Sequence, residues 1–105
     1  MPPTKKTIHK GAEGKPKLHL MPYDALQEIA RALEHGIPKY GKNGYRKGVD
    51  WTEYVDAALR HIYAFADGSY PDMDDESKLQ HLAHAGASIA ILIWLTKYQP
   101  KHDDR

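Results

Sequence analysis

Residues 82–95 read Leu-Ala-His-Ala-Gly-Ala-Ser-Ile-Ala-Ile-Leu-Ile-Trp-Leu, and wound as a helix they are apolar in nearly every direction. Such a helix must be covered on most of its surface. The run is too short to cross a bilayer, which takes ~20 apolar residues. It therefore predicts a buried helix in a small protein. A chain of 105 residues fits one domain with one modest core. Two neighbouring helices leave part of a third uncovered, so the run also predicts a homo-oligomer joined through this helix. Gly86, Ala87 and Ala90 would let a second subunit approach closely.

Helix punctuation organises the rest. A first helix is expected over about residues 22–35, with Pro22 at its first position and Asp24 favouring the dipole. Its apolar stripe is Leu26, Ile29, Ala30 and Leu33, and Gly36 with Pro38 stops it. A second helix starts after Asp50, where Glu53 completes a capping-box pattern. Its stripe is Trp51, Val55, Ala58, Leu59, Ile62 and Phe65, and Asp67-Gly68 with Pro71 ends it. The third helix is expected over residues 75–98, stopping before Pro100. No segment of useful length has a strand period. The expectation is an all-α fold, a small bundle of three main helices. Residues 1–16 read as a flexible basic tail, 17–99 as a single helical domain and 100–105 as a polar C-terminal tail.

Fifteen basic and fourteen acidic residues leave a net charge of +1, which gives no case for a membrane or a specific nucleic-acid partner. The lysines of the N-terminal tail read as a solvated arm. Cysteine is absent, so there is no disulfide framework or thiolate metal site, in keeping with a reducing compartment. No apolar segment follows the early lysines, so no signal peptide is expected. A cytoplasmic protein follows.

Two constellations carry chemistry. His81 and His84 share one face of a helix at i and i+3, close to Glu76 and Ser77. His61 lies beside the apolar stripe of the second helix and can face the same interior. With Asp74, Asp75 and Glu76 these histidines offer imidazole and carboxylate ligands for Mg²⁺, Mn²⁺ or a similar cation. A carboxylate group at a helix start and a hydrogen-bonded core histidine are the plainer alternatives. The second constellation is the acid-free loop Lys39-Tyr40-Gly41-Lys42-Asn43-Gly44-Tyr45-Arg46-Lys47. Its glycines let backbone amides approach an anion, its cations supply charge and its tyrosines offer flat faces for a base or sugar. A solvated basic loop is the alternative. A basic loop and an acidic, histidine-bearing segment together suggest phosphate and divalent metal as one ligand.

Residues 17–26, Lys39-Tyr40-Gly41, Ala58-Leu59-Arg60-His61, Asp74-Asp75-Glu76 and His81-Leu82-Ala83-His84-Ala85 resemble, in order and spacing, the phage-associated dATP/dGTP diphosphohydrolase N-terminal family. The resemblance covers about residues 15–98. It departs at Gly44-Tyr45, where the family pattern has Asn-Trp, and at Lys78-Leu79-Gln80, where it has Gly-Leu-Pro. The two Glu-x-x-Glu/Asp elements of better-known all-α NTP pyrophosphatases are not visible. The resemblance implies metal-dependent hydrolysis of a purine (deoxy)nucleoside triphosphate to monophosphate and pyrophosphate, in the host cytoplasm if the gene is a phage's. On that expectation His61, Asp74, Glu76 and His84 hold the metal, and Glu76 and His81 serve catalysis. Lys39, Tyr40, Lys42, Tyr45 and Arg60 bind nucleotide and phosphate, and Glu28 is a further candidate ligand. The alternative is a protein that binds a nucleotide without turnover, as a sponge or sensor, in an oligomeric pocket. A structural module that docks a partner protein through the third helix is the third option.

Overall fold

The computed structural model describes residue 11 and residues 13–105. Most of the basic tail expected over residues 1–16 lies outside the described residues. Helix α1 spans Tyr23–His35, the single-turn α2 Ile37–Tyr40, α3 Trp51–Asp67 and α4 His81–Tyr98. Short 3₁₀ turns occupy Leu18–Leu20, Gly44–Lys47 and Pro100–His102. Among the described residues there is no strand, only an isolated antiparallel bridge between Met73 and Gln80. The protein is a small all-α bundle of three main helices, with α4 packed against both α1 and α3. No described helix is long and apolar enough to cross a membrane.

Small residues set the packing. Ala32 of α1 meets Ala83 and Ala87 of α4, with Ile29 and Leu79 against them. Gly86 is the closest point of the crossing, since a Cβ there would lie 2.8 Å from the Ile29 side chain. Gly86 and Ala87, expected as the approach surface for a second subunit, are thus used within the subunit by α1. The stripe expected on α1 is rotated accordingly: Ala32 is buried, whereas Leu26, Ala30 and Leu33 are exposed. On α4 the buried face is Ala83, Ala85, Ala87, Ser88 and Leu95, and Leu82, Ile89 and Ile93 remain 44%, 45% and 57% exposed. Burial on all sides of α4 therefore does not occur within one subunit.

The start of α3 is held by the end of the chain. Buried Trp51 donates its Nε1–H to the Gln99 carbonyl at 3.1 Å, and the Asp104 carboxylate accepts from the Thr52 N–H at 3.0 Å. Asp50 occupies the N-cap position without a side-chain cap bond. The expected capping box is not formed, and Asp104 takes over one free amide of the first turn. Gln99 also donates its Nε2–H to the Arg46 carbonyl at 2.8 Å, tying the basic loop to the end of α4.

The third long helix begins at His81, not at Asp75. Lys78 adopts a left-handed φ of +62°, which a right-handed helix cannot contain. Residues 72–80 instead fold back on themselves. Asp74 N–H donates to the Leu79 carbonyl at 2.6 Å, Lys78 N–H to the Asp74 carbonyl at 2.8 Å and His81 N–H to the Asp72 carbonyl at 2.9 Å. The acids at 72–76 thus belong to a loop and not to a helix start.

Candidate metal and nucleotide site

The folded-back loop brings Asp74 and Ser77 to the side of α4 that carries His81 and His84, where His61 of α3 also arrives. His61 Nδ1 and His81 Nδ1 are 2.9 Å apart. The His61 ring stacks on His84, with centroids 4.7 Å apart and planes 19° from parallel. His84 Nε2 lies 2.6 Å from the Ser77 hydroxyl, and the Ser77 N–H donates to Asp74 Oδ2 at 2.8 Å. His35, at the end of α1, meets His84 edge-on at 5.9 Å and lies 4.0 Å from Glu76. One donor atom each from His61, Asp74 and His81 falls within 4.8 Å of the others.

The electrostatics suit ligand duty. Burial lowers the pKa of His61, and the neighbouring His84 and His81 push it the same way. Burial also lowers that of His84, against the pull of Asp74. Both rings are therefore neutral near pH 7, the form that binds a metal. Burial alone would raise the Asp74 carboxyl, but hydrogen bonds from Ser77 and the adjacent His84 and His61 outweigh it and hold its pKa down. Two half-buried imidazoles and an ionised carboxylate fit a divalent cation by donor chemistry.

The cluster forms the wall between two openings. A recess of about 390 Å³ is lined by His35, Lys39, Tyr40, His61, Asp74, Glu76 and His84. A cleft of about 780 Å³ between the basic loop, α3 and α4 includes Tyr40, Lys42, Tyr45, Arg60, His61 and His84. Tyr40, His61 and His84 border both.

The residues singled out by sequence divide among the cluster, the two openings and the surface, where Asp75 pairs with Lys78 at 3.5 Å. His61, Asp74, His81 and His84 meet. Glu76 sits at the rim with an exposed side chain. Lys39 and Tyr40 line the recess, and Lys42 and Arg60 line the cleft. Tyr45 is half-buried, edge-on to Trp94 at 5.2 Å, with Arg46 over the same indole at 5.1 Å. Its ring is therefore partly engaged already. Glu28 pairs with Arg31 at 3.7 Å and is not in the cluster. His35 and Ser77 complete the site, and neither is a ligand candidate by sequence. At the end of a helix, His35 reads as an ordinary C-terminal base, and Ser77 next to acids reads as a turn residue.

Residues 5–105 match the profile of the family described as dATP/dGTP diphosphohydrolase, N-terminal. The chain belongs to this family. It is similar to a dATP/dGTP diphosphohydrolase of Salmonella phage PMBT28, at 34% identity over 93 residues. That match covers 89% of the chain and 31% of the phage protein, so the chain spans about a third of the length of that relative. No solved structure matches.

Proposed function

We propose that this chain binds a purine (deoxy)nucleoside triphosphate and takes part in its hydrolysis to monophosphate and pyrophosphate. One observation carries the proposal: His61, Asp74, Glu76 and His84 line the same recess as Lys39 and Tyr40 at the start of the basic loop. A triphosphate needs cations along its chain, and a metal centre needs open positions for phosphate oxygens. The phage relative's name points the same way.

In this reading residues drawn from His61, Asp74, Glu76, His81 and His84 would hold a divalent cation, which would supply Lewis-acid stabilisation of phosphate charge and make water easier to deprotonate. Lys39 and Lys42 hold the terminal phosphates by charge-assisted hydrogen bonds. Tyr40, 63% exposed, offers its ring to the base or sugar. Water adds at the α-phosphorus as the bond to the bridging oxygen breaks, and Glu76 takes the proton of that water. Arg60 neutralises charge on the departing pyrophosphate. The unit that performs this is proposed to be a homo-oligomer joined through the exposed Leu82, Ile89 and Ile93 of α4. Ile93→Lys should then dissociate it in sedimentation, and a well-folded wild-type monomer at micromolar concentration would remove this part.

A second reading, nucleotide binding without turnover, is favoured by the single carboxylate within the donor cluster. Incubation of the purified chain with individual dNTPs and Mn²⁺ or Mg²⁺ separates the two. Monophosphate with pyrophosphate supports hydrolysis, and intact nucleotide recovered from denatured protein supports storage. Neither product nor bound nucleotide would end both readings.

A further inference from the structure

We infer that His61, Asp74 and His81 are the direct ligands of the metal centre, and that it selects an imidazole-binding first-row transition ion over Mg²⁺. This assignment presumes the metal-assisted reaction proposed above only for the use of the ion, not for its binding. The donors are already near coordination spacing. Two nitrogens each about 2.1 Å from one ion lie about 3.0–3.4 Å apart in adjacent octahedral or tetrahedral positions, and His61 Nδ1 and His81 Nδ1 are 2.9 Å apart. An ion bound by both nitrogens would take the place of their direct contact, with the rings turned so that both point at it. Asp74 closes the trio within 4.8 Å.

The neighbours divide between binding and support. Ser77 N–H donates to Asp74 Oδ2 and so fixes the orientation of the carboxylate. His84 engages the Ser77 hydroxyl through Nε2 and stacks on His61. It therefore orients both a carboxylate and an imidazole ligand, as hydrogen-bonded groups outside a metal's own ligands commonly do. His84 is a positioning residue, and Glu76, its side chain 81% exposed and directed to His35, stands outside the trio. Mg²⁺ favours six oxygens in a near-ideal octahedron. Two imidazoles and one carboxylate favour Mn²⁺, Co²⁺, Ni²⁺ or Zn²⁺, and leave positions open for other oxygens.

Co²⁺ reports on its own ligands through visible absorption, so tag-free chain is titrated with Co²⁺ alone, without nucleotide. Melting temperature is measured in parallel with Co²⁺, Zn²⁺, Mn²⁺ and Mg²⁺. The expected result is one absorbing Co²⁺ per chain, thermal stabilisation by the transition ions and none by Mg²⁺ at equal concentration. His61→Ala and His81→Ala should lose the absorption, His102→Ala should keep it, and His84→Ala should keep it with affinity about 10–100-fold weaker. Should an alanine variant lose helical circular dichroism, His61→Asn and His81→Asn repeat the comparison with a polar replacement. Equal stabilisation by Mg²⁺, or Co²⁺ absorption that survives loss of either His61 or His81, would overturn the assignment. Hydrolysis of dNTPs that continues in that case would leave the proposed reaction standing. Bound Co²⁺ without turnover of any nucleotide would uphold the centre and sink the reaction.

Discussion

Around His61 the side chains hold one another: a stacked ring, an imidazole 2.9 Å away, and a serine that fastens both His84 and Asp74. Around Lys42, across the same cleft, little is fastened. Residues 41–43 are exposed, and none of the ion pairs among the described residues involves Lys39 or Lys42. The loop is tied mainly at its far end, through Gln99 to Arg46 and Tyr45 to Trp94. The difference matches what each region is proposed to bind. Metal ligands must be set within fractions of an ångström, and neutral imidazoles can be packed together at modest cost. Several cations cannot be packed together without an anion between them, so a phosphate-binding loop stays open until the phosphate arrives.

The contrast can be broken from the rigid side. Gly86→Val places side-chain atoms where Ile29 already stands and should cost about 3 kcal/mol, read by thermal or urea unfolding. The same variant should disturb the cluster by displacing α1 and His35, yet leave the Gln99–Arg46 tie in place. A variant as stable as wild type would show that the α1–α4 crossing is not tight. From the open side, Lys39→Ala with Lys42→Ala should weaken triphosphate binding by about 2 kcal/mol with the melting temperature nearly unchanged. Equal loss for nucleoside and triphosphate in calorimetry would remove the phosphate role.

Acid sharpens the comparison further. His61 and His84 have lowered pKa values in the fold, so below the ordinary value near 6.5 the unfolded chain takes up more protons than the folded one. Their contribution to stability is complete above pH 6.5 and declines as pH falls through that value toward the folded pKa. The melting temperature should therefore drop on acidification from pH 7 to 5.5, and less so in a His61→Asn, His84→Gln variant. A flat profile in the wild type would mean that the rings are as easily charged in the fold as in water.

Much of this was legible in sequence. Asp67-Gly68 and Pro100 mark helix ends within a residue or two, because a left-handed Gly68 and a proline cannot continue a helix, and Gly36 marks the end of α1 although its own backbone stays right-handed. The convergence of His61 with His81 and His84 was readable from helical spacing. The roles of the two α4 histidines were not, because which one meets His61 through Nδ1 depends on how α4 is rotated against α3. Helix rotation is set by Ala83, Gly86 and Ala87 packing on α1, a tertiary matter. The start of α4 is not legible, for a local reason. Asp75–Gln80 contains ordinary helix-compatible residues, and nothing about a lysine announces a left-handed backbone.

That lysine stands where a glycine would sit more easily. The backbone has the shape that Gly at position 78 and Pro at position 80 would choose: φ is +62° at Lys78 and −61° at Gln80, and the paired hydrogen bonds of the turn use the amides of Asp74 and His81 but not that of Gln80. Lys78 bears the strain of a side chain in a left-handed conformation. Replacing Lys78→Gly and Gln80→Pro together should add about 1 kcal/mol, a rise in melting temperature of about 4–8 °C, with Co²⁺ binding unchanged. A destabilised double variant would show that the two side chains make contacts the turn needs. A stabilised one would mean that the turn delivering Asp74 and Ser77 to the histidines is held by its backbone bonds and owes nothing to the side chains at its two corners.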